Sequence, residues 1–344
     1  MKAAVLYELN RPLVIEDLEL PKLHEGQVLV QMLTSGVCQT QLLEARGRKG
    51  EDKFLPHAMG HEGTGKVLEV GPGVQRVRAG DMVVLSWIRG PGLNSPGPKY
   101  RNQKGQTINA GAVATFCEQA IVSENRCTPI SNAVDPVRTS LLGCAIPTGA
   151  GIVQHQLSAK PDQSIVVFGI GGIGASAILM ARHLNLKTIV AIDVQESKKA
   201  FALGLGASHF VSAKDAKGPD QLKEIAPQGF DFAIECSGSA PAMESAYPLV
   251  KDNGGLLVIA GNLPHGQKIS LDPFNFIRGK NIIGSAGGSS RPAEDFPLYL
   301  KWNQDGTFPM EKLITKIFRL EQINEALDQL EHGVEGRLLI DFRS

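Results

Sequence analysis

SIVVFGIGGIGASAILMARHLNLKTIVAID, residues 164–193, changes character several times within a single stretch. It opens on an apolar run of β type, Ile165–Phe168. Gly169, Gly171 and Gly174 follow in the spacing G-x-G-x-x-G, with Gly172 between them. An apolar helical segment runs from Ala175 to about Leu184, and a second apolar run, Thr188–Ile192, ends on Asp193. Strand, glycine turn, helix, strand and acid in that order form the dinucleotide-binding fingerprint. The first glycine permits the tight turn, the second lets backbone approach a pyrophosphate, and the third lets helix pack against strand. The helix N-terminus then offers free N–H groups and the positive end of its dipole to the phosphates. The rival reading is a membrane span, because Gln163–Ala181 carries no charge. Four glycines at the end of a β-branched run speak against one straight helix.

Asp193 lies nineteen residues beyond Gly174, where a carboxylate accepts hydrogen bonds from ribose hydroxyls. The same carboxylate would repel the extra phosphate of NADP, and Val194 and Gln195 bring no cation to attract it. NAD is the expected cofactor.

Around this stretch, residues 146–288 alternate between strand and helix. Strands are expected at 165–168, 188–192, 208–211, 230–235, 256–260 and 281–285, and helices at 172–184, 196–203, 219–226 and 240–251. Six strands with crossovers make an α/β, doubly wound parallel sheet. Residues 1–145 read as mostly β, with runs at 3–7, 27–36, 63–71 and 81–87. Arg89–Asn109 is rich in Gly, Pro, Asn and Lys, and reads as a loop or lobe. Helical segments are expected at 133–142 and 149–157. The tail reads as helix at 298–304 and 322–332 and strand at 337–342, and is expected to return to the first domain.

The chain of 344 residues balances 35 basic against 35 acidic side chains, so neither nucleic acid nor an anionic membrane surface is an expected partner. The first ten residues lack the apolar core of a signal peptide. Five cysteines make no disulfide framework, and a reducing cytoplasm is the expected compartment.

Cys38, His61 and Cys144 are candidate ligands for one metal ion, since two thiolates and an imidazole with one open position form a catalytic zinc set. Glu62 is an alternate ligand or an outer charge. The alternative is that both cysteines are small buried hydrophobes and His61 a satisfied core histidine.

The segment GHEGTGKVLEVGPGVQRVRAGDMV (60–83), with Cys38 before it and Cys144 after it, resembles the zinc-containing alcohol dehydrogenases of the medium-chain dehydrogenase/reductase family. ECSG (235–238), GGLLVIAG (254–261) and SLDPFNFIRGKNIIGSAGG (270–288) extend the resemblance over essentially the whole chain. It implies a GroES-like catalytic domain (1–145 and 289–344) around a Rossmann domain (146–288), with the active site in the cleft between them. It places Cys38, His61 and Cys144 on the catalytic zinc, with Glu62 beside them. Thr40 falls on the hydroxyl that bonds the substrate oxygen and starts the proton relay. Thr148 and Ile173 fall at the nicotinamide, Asp193 and Lys198 at the adenosine ribose, and Arg337 at the pyrophosphate. The implied reaction is NAD-linked, reversible conversion of an alcohol to an aldehyde or ketone, in a homodimer or homotetramer.

Four departures qualify that picture. Residues 89–109 contain no cysteine, so the family's structural zinc has no thiolates and one zinc per subunit is expected. Gln41 replaces an aspartate that orients the ligand histidine. Leu43 replaces a relay histidine, and Gln39 a phosphate-binding arginine. His57 and His155 could substitute in the relay but read as structural, as do Cys117, Cys127 and Cys236. The competing readings are a zinc-free, NADPH-dependent quinone or enoyl reductase of the same family and a non-catalytic nucleotide-binding protein.

Overall fold

The computed structural model describes residues 1–343. They form two compact units: one holds Met1–Ala145, Arg291–Gln304 and the chain from Ile314 onward, the other Ile146–Ser290 and Asp305–Leu313.

In the second unit the six expected strands pair in parallel, in the spatial order His209–Ser212, Thr188–Asp193, Ser164–Phe168, Phe232–Glu235, Leu256–Ile259, Asn281–Gly284. This is the doubly wound order, which reverses direction beside Ser164–Phe168. Strand interiors such as Val166, Val190, Ala233 and Leu257 are fully buried. That burial explains the continuous apolar runs, since a parallel sheet is covered on both faces. Helix Gly172–His183 buries Gly174–Ala181 without interruption. No helix among the described residues is long and apolar enough to cross a membrane.

The first unit is β-rich. A closed barrel joins Lys2–Leu6, Val14–Glu19, Lys99–Asn102, Thr107–Asn109 and His57–Ala58. A seven-stranded sheet runs Cys127–Ile130, Met82–Ser86, Glu62–Val70, Gln27–Val37, Arg337–Asp341, Ile314–Phe318, with Gln119–Ser123 also pairing to Gln27–Val37. Val28, Val30, Met32, Val83 and Leu85 form its core together with Tyr100 and Ile108 of the barrel.

Three expectations need correction. Residues 89–109 are not simply a loop: Lys99–Asn102 and Thr107–Asn109 pair as a hairpin. Its inward side chains, Tyr100 and Ile108, are fully buried, and the Tyr100 hydroxyl accepts the Ile121 N–H at 3.0 Å. A polar composition concealed a two-position alternation. Secondly, Ile314–Phe318 is a strand parallel to Arg337–Asp341, where no strand was expected. Thirdly, residues 305–313, expected in the catalytic domain, pack with the second unit. There Phe308 meets His183 edge-on at 5.9 Å, and Phe308, Met310 and Leu313 are fully buried.

Tyr100→Ala removes an aromatic side chain from the first unit's core. It should lower unfolding free energy by about 3–5 kcal/mol in chemical denaturation. A loss below about 1 kcal/mol would mean that the hairpin is a surface appendage.

Candidate active site

The candidate ligand positions of the first unit are placed by three neighbouring strands and one turn. Strand Gln27–Val37 delivers Cys38, which starts the helix Gln39–Ala45. His61 immediately precedes strand Glu62–Val70, and Gly60 before it has φ +96°, with no space for a side chain against Thr115. Cys144 follows a short helical turn, Ser140–Gly143, whose last carbonyl accepts the Ser86 hydroxyl at 2.7 Å.

These pieces converge. One ligand atom each from Cys38, His61, Glu62 and Cys144 lies within 4.8 Å of all the others. Both cysteines and Glu62 are buried. His61 Nε2 is buried and has no hydrogen-bond partner among the described residues. Two sulfurs, an imidazole nitrogen without a partner and an adjacent carboxylate make a donor set that suits zinc.

The cysteines do not titrate alike. Cys38 is held well below the usual thiol range, chiefly by a hydrogen bond from Cys144, with the Arg337 charge adding to it against the cost of burial. Cys144 is pushed well above that range, because it carries the shared proton and is itself buried. The Trp87 indole opposes that rise by hydrogen-bonding the Cys144 sulfur.

Glu62 is fully buried and paired with the Arg337 guanidinium, itself 4% exposed. The Glu62 carboxylate also accepts the Ala145 N–H at 3.4 Å. A Cβ on Gly36 would lie 2.6 Å from the Glu62 carboxyl carbon, and one on Gly143 would lie 2.7 Å from its Cβ. Both glycines are therefore required by close approach. Ser35 and Thr115 hydroxyls bond the Glu62 carbonyl at 3.0 and 3.2 Å.

Gln41 reaches His61: its Nε2 is 2.8 Å from His61 Nδ1, while its Oε1 accepts the Cys38 N–H at 2.8 Å. Thr40 is half-buried in the first turn of the same helix, and Leu43 is buried one turn on. A second group, Glu44, Asp52 and His57, also has ligand atoms within 4.8 Å. It is closed on itself: His57 Nε2 bonds Asp52 at 2.8 Å, and Lys49 pairs with Glu44 at 2.8 Å.

In the second unit Gly169 has φ +84°, a Cβ on Gly174 would meet the Gly169 carbonyl at 2.1 Å, and Gly171 faces open space. Helix Gly172–His183 begins there, so Gly172 and Ile173 form its first turn. Gly149 packs on the Ile173 carbonyl, which sets the buried Thr148 close to that turn. Asp193 Oδ2 accepts the Ile170 N–H at 2.8 Å and the Lys198 ammonium at 3.0 Å, while Oδ1 accepts the Gln195 N–H at 3.0 Å. A cavity of roughly 320 Å³ opens at the carboxyl ends of three strands, lined by Phe168, Ile192, Val211, Pro219 and Leu222. Free glycine backbone, a helix start, an acid and an apolar slot together accommodate a dinucleotide.

Of the expected residues, Cys38, Thr40, His61, Glu62, Cys144 and Arg337 belong to the first unit. Thr148, Gly169, Gly171, Gly172, Ile173, Gly174, Asp193 and Lys198 belong to the second. Arg337, expected at the pyrophosphate, has its guanidinium committed to Glu62. Trp87 was missed. It stands exposed at the end of strand Met82–Ser86, which pairs with Glu62–Val70.

Residues 24–132 match the family model described as alcohol dehydrogenase GroES-like domain, and residues 172–305 that described as zinc-binding dehydrogenase. An S-(hydroxymethyl)glutathione dehydrogenase of Synechocystis sp. is 30% identical, over 99% of each chain. The crystal structure of an alcohol dehydrogenase zinc-binding domain protein from Burkholderia ambifaria superposes with a TM-score of 0.92 at 28% identity, covering 100% of this chain and 99% of that one. Benzyl alcohol dehydrogenase from Acinetobacter calcoaceticus gives 0.90 at 27%, over 99% of both chains.

Arg337→Met strands the buried Glu62 carboxylate and should cost about 3–5 kcal/mol of stability in denaturant unfolding. Adding Glu62→Gln should recover a large part of that loss. A double variant as unstable as the sum of the two single variants would show that the pair is not coupled.

Proposed function

The chain belongs to the zinc-containing alcohol dehydrogenases of the medium-chain dehydrogenase/reductase family, and on that premise we propose that it oxidises an alcohol reversibly to an aldehyde or ketone with one zinc ion and NAD. The observation that carries the proposal is the convergence of Cys38, His61 and Cys144 on one point, with His61 Nε2 lacking any hydrogen-bond partner among the described residues.

Cys38, His61 and Cys144 would hold the zinc, and Glu62 stands by as a charge or exchange ligand. When bound, zinc supplies Lewis-acid polarisation of the substrate oxygen, and NAD supplies a hydride acceptor. The protein's own groups do the rest. Cys38 is already biased toward the thiolate that a metal requires. Trp87 hydrogen-bonds the other sulfur and tempers its charge. The Thr40 hydroxyl takes the alcohol proton and passes it on. With Leu43 in the relay histidine's place, that proton continues by a route other than an imidazole there. Arg337 neutralises Glu62.

The glycines at 169, 171 and 174 admit the pyrophosphate, and the apolar cavity takes the adenine ring. Asp193 receives the ribose hydroxyls. The nearby Lys198 is no free cation for a 2′-phosphate, since its ammonium is paired to Asp193 at 3.0 Å. This favours NAD over NADP.

No cysteine lies in 89–109, so we assign one zinc per chain. Five free cysteines accord with a reducing cytoplasm. We also infer self-association through the second unit. Its edge strand Asn281–Gly284 leaves backbone groups unpaired in the sheet. Phe274, Phe276, Ile277 and Ile283 are 56, 47, 78 and 39% exposed beside it, an apolar surface suited to a second copy.

Metal analysis should return one zinc per chain, and Cys38→Ala should abolish alcohol-dependent reduction of NAD while leaving NADH fluorescence titration intact. Full turnover by a zinc-stripped enzyme would overturn the reading. A panel of primary, secondary, aromatic and polyol alcohols would then identify the substrate class. Asp193→Ala should raise KM for NAD at least tenfold and narrow the preference over NADP. Ile277→Asp should shift sedimentation toward the monomer, and unchanged sedimentation of an oligomer would locate the interface elsewhere.

A further inference from the structure

The Gln41 amide sits between two groups with conflicting demands. On one side is the Cys38 backbone N–H, 2.8 Å from Oε1, which can only donate. On the other is His61 Nδ1, 2.8 Å from Nε2. With Oε1 on Cys38, the Gln41 NH₂ faces His61 and donates to it, so Nδ1 must be the bare nitrogen of the ring. A neutral His61 then carries its proton on Nε2. Yet Nε2 is the nitrogen that lies with the thiols and has no hydrogen-bond partner among the described residues. A cation there needs the Nε2 lone pair, which leaves only Nδ1 to carry the proton. The imidazole would then present N–H to the N–H₂ of Gln41.

Turning the amide over repairs one contact and breaks the other. Oε1 would accept from His61 Nδ1–H, but the NH₂ would face the Cys38 N–H. No orientation of a glutamine side chain satisfies both neighbours once Nε2 is a ligand. A carboxylate of the same length would satisfy both, because each of its oxygens accepts.

We propose that Gln41 is a positioning residue that weakens and gates metal binding: filling the site reverses its amide and releases the Cys38 N–H at the start of helix Gln39–Ala45. The imidazole gains a proton on Nδ1 and loses one from Nε2, so its net charge is unchanged. The inference rests on the zinc reading above. It predicts a lower zinc affinity than an acceptor at this position would give, and a helix start that loosens as the metal enters.

The test uses the full-length enzyme stripped of metal. Zinc affinity is measured by competition with a chromophoric chelator for wild type, Gln41→Glu and Gln41→Leu. Outer-shell partners of ligand histidines change metal affinity by roughly 10–100-fold, and Gln41→Glu should bind zinc tighter than wild type by an amount in that range. Added negative charge alone could raise affinity, so two further readouts are needed. In metal-free wild type, nitrogen-15 NMR of His61 should show the proton on Nε2. On zinc loading, exchange of the Cys38 amide proton should accelerate in wild type and stay slow in Gln41→Glu. A metal-free His61 protonated on Nδ1, or a Cys38 amide equally protected with and without zinc in wild type, would overturn the inference while leaving the zinc reading standing. Gln41→Glu affinity no higher than wild type would overturn it as well. Failure of every variant to bind zinc would instead remove the zinc reading, and this inference with it.

Discussion

A single buried carboxylate holds the catalytic unit's site together. Glu62 is fully enclosed, paired with Arg337 and pressed between two glycines, Gly36 and Gly143. A charge in such a place is tolerable only if a countercharge and hydrogen bonds surround it. The segments that press on it or donate to it carry or adjoin candidate ligands. Gly36 is two residues before Cys38, His61 directly precedes Glu62, and Gly143 directly precedes Cys144. Satisfying the carboxylate therefore sets the spacing of two sulfurs and an imidazole that are far apart along the chain. The same positive charge that steadies Glu62 biases Cys38 toward its thiolate. Fold stability and metal readiness thus draw on one interaction.

The two units differ in how openly their sequences declare them. In the Rossmann-type unit, periodicity and glycine spacing are local signals, and the six strands lie within a residue or two of where those signals put them. The catalytic unit depends on pairings across long sequence distances. Thr34–Val37 pairs with Leu338–Asp341, a match that no local pattern discloses. The hairpin within 89–109 hides behind Lys, Asn and Gly because its buried apolar side chains are just Tyr100 and Ile108, while the third buried position is the polar Asn102. Residues 305–313 were assigned to the wrong unit because three buried apolar side chains in a short segment do not say what they pack against.

The site itself was partly legible. Cys38, His61 and Cys144 were named by resemblance, since their separation carries no spacing rule. Their convergence needed coordinates. Gln41 was recognised as a departure that lacks charge yet keeps an acceptor oxygen. That its acceptor oxygen is already taken by the Cys38 backbone is a fact of three-dimensional geometry. Arg337 was identified as functional from resemblance, and the structure adds its partner, Glu62. Trp87 escaped notice because a tryptophan beside a cysteine far away in sequence leaves no signature.

Arg337 lies on one of the last strands of the chain, whereas Glu62 lies near its start. A ribosome adding residues in order makes Glu62, both cysteines and the whole six-stranded sheet before it makes the cation that Glu62 requires. During synthesis the nucleotide-binding sheet can fold as its own body, as domains commonly do. The cluster around Glu62 has to wait, with its acid uncompensated, until the returning strand comes into place beside Gln27–Val37.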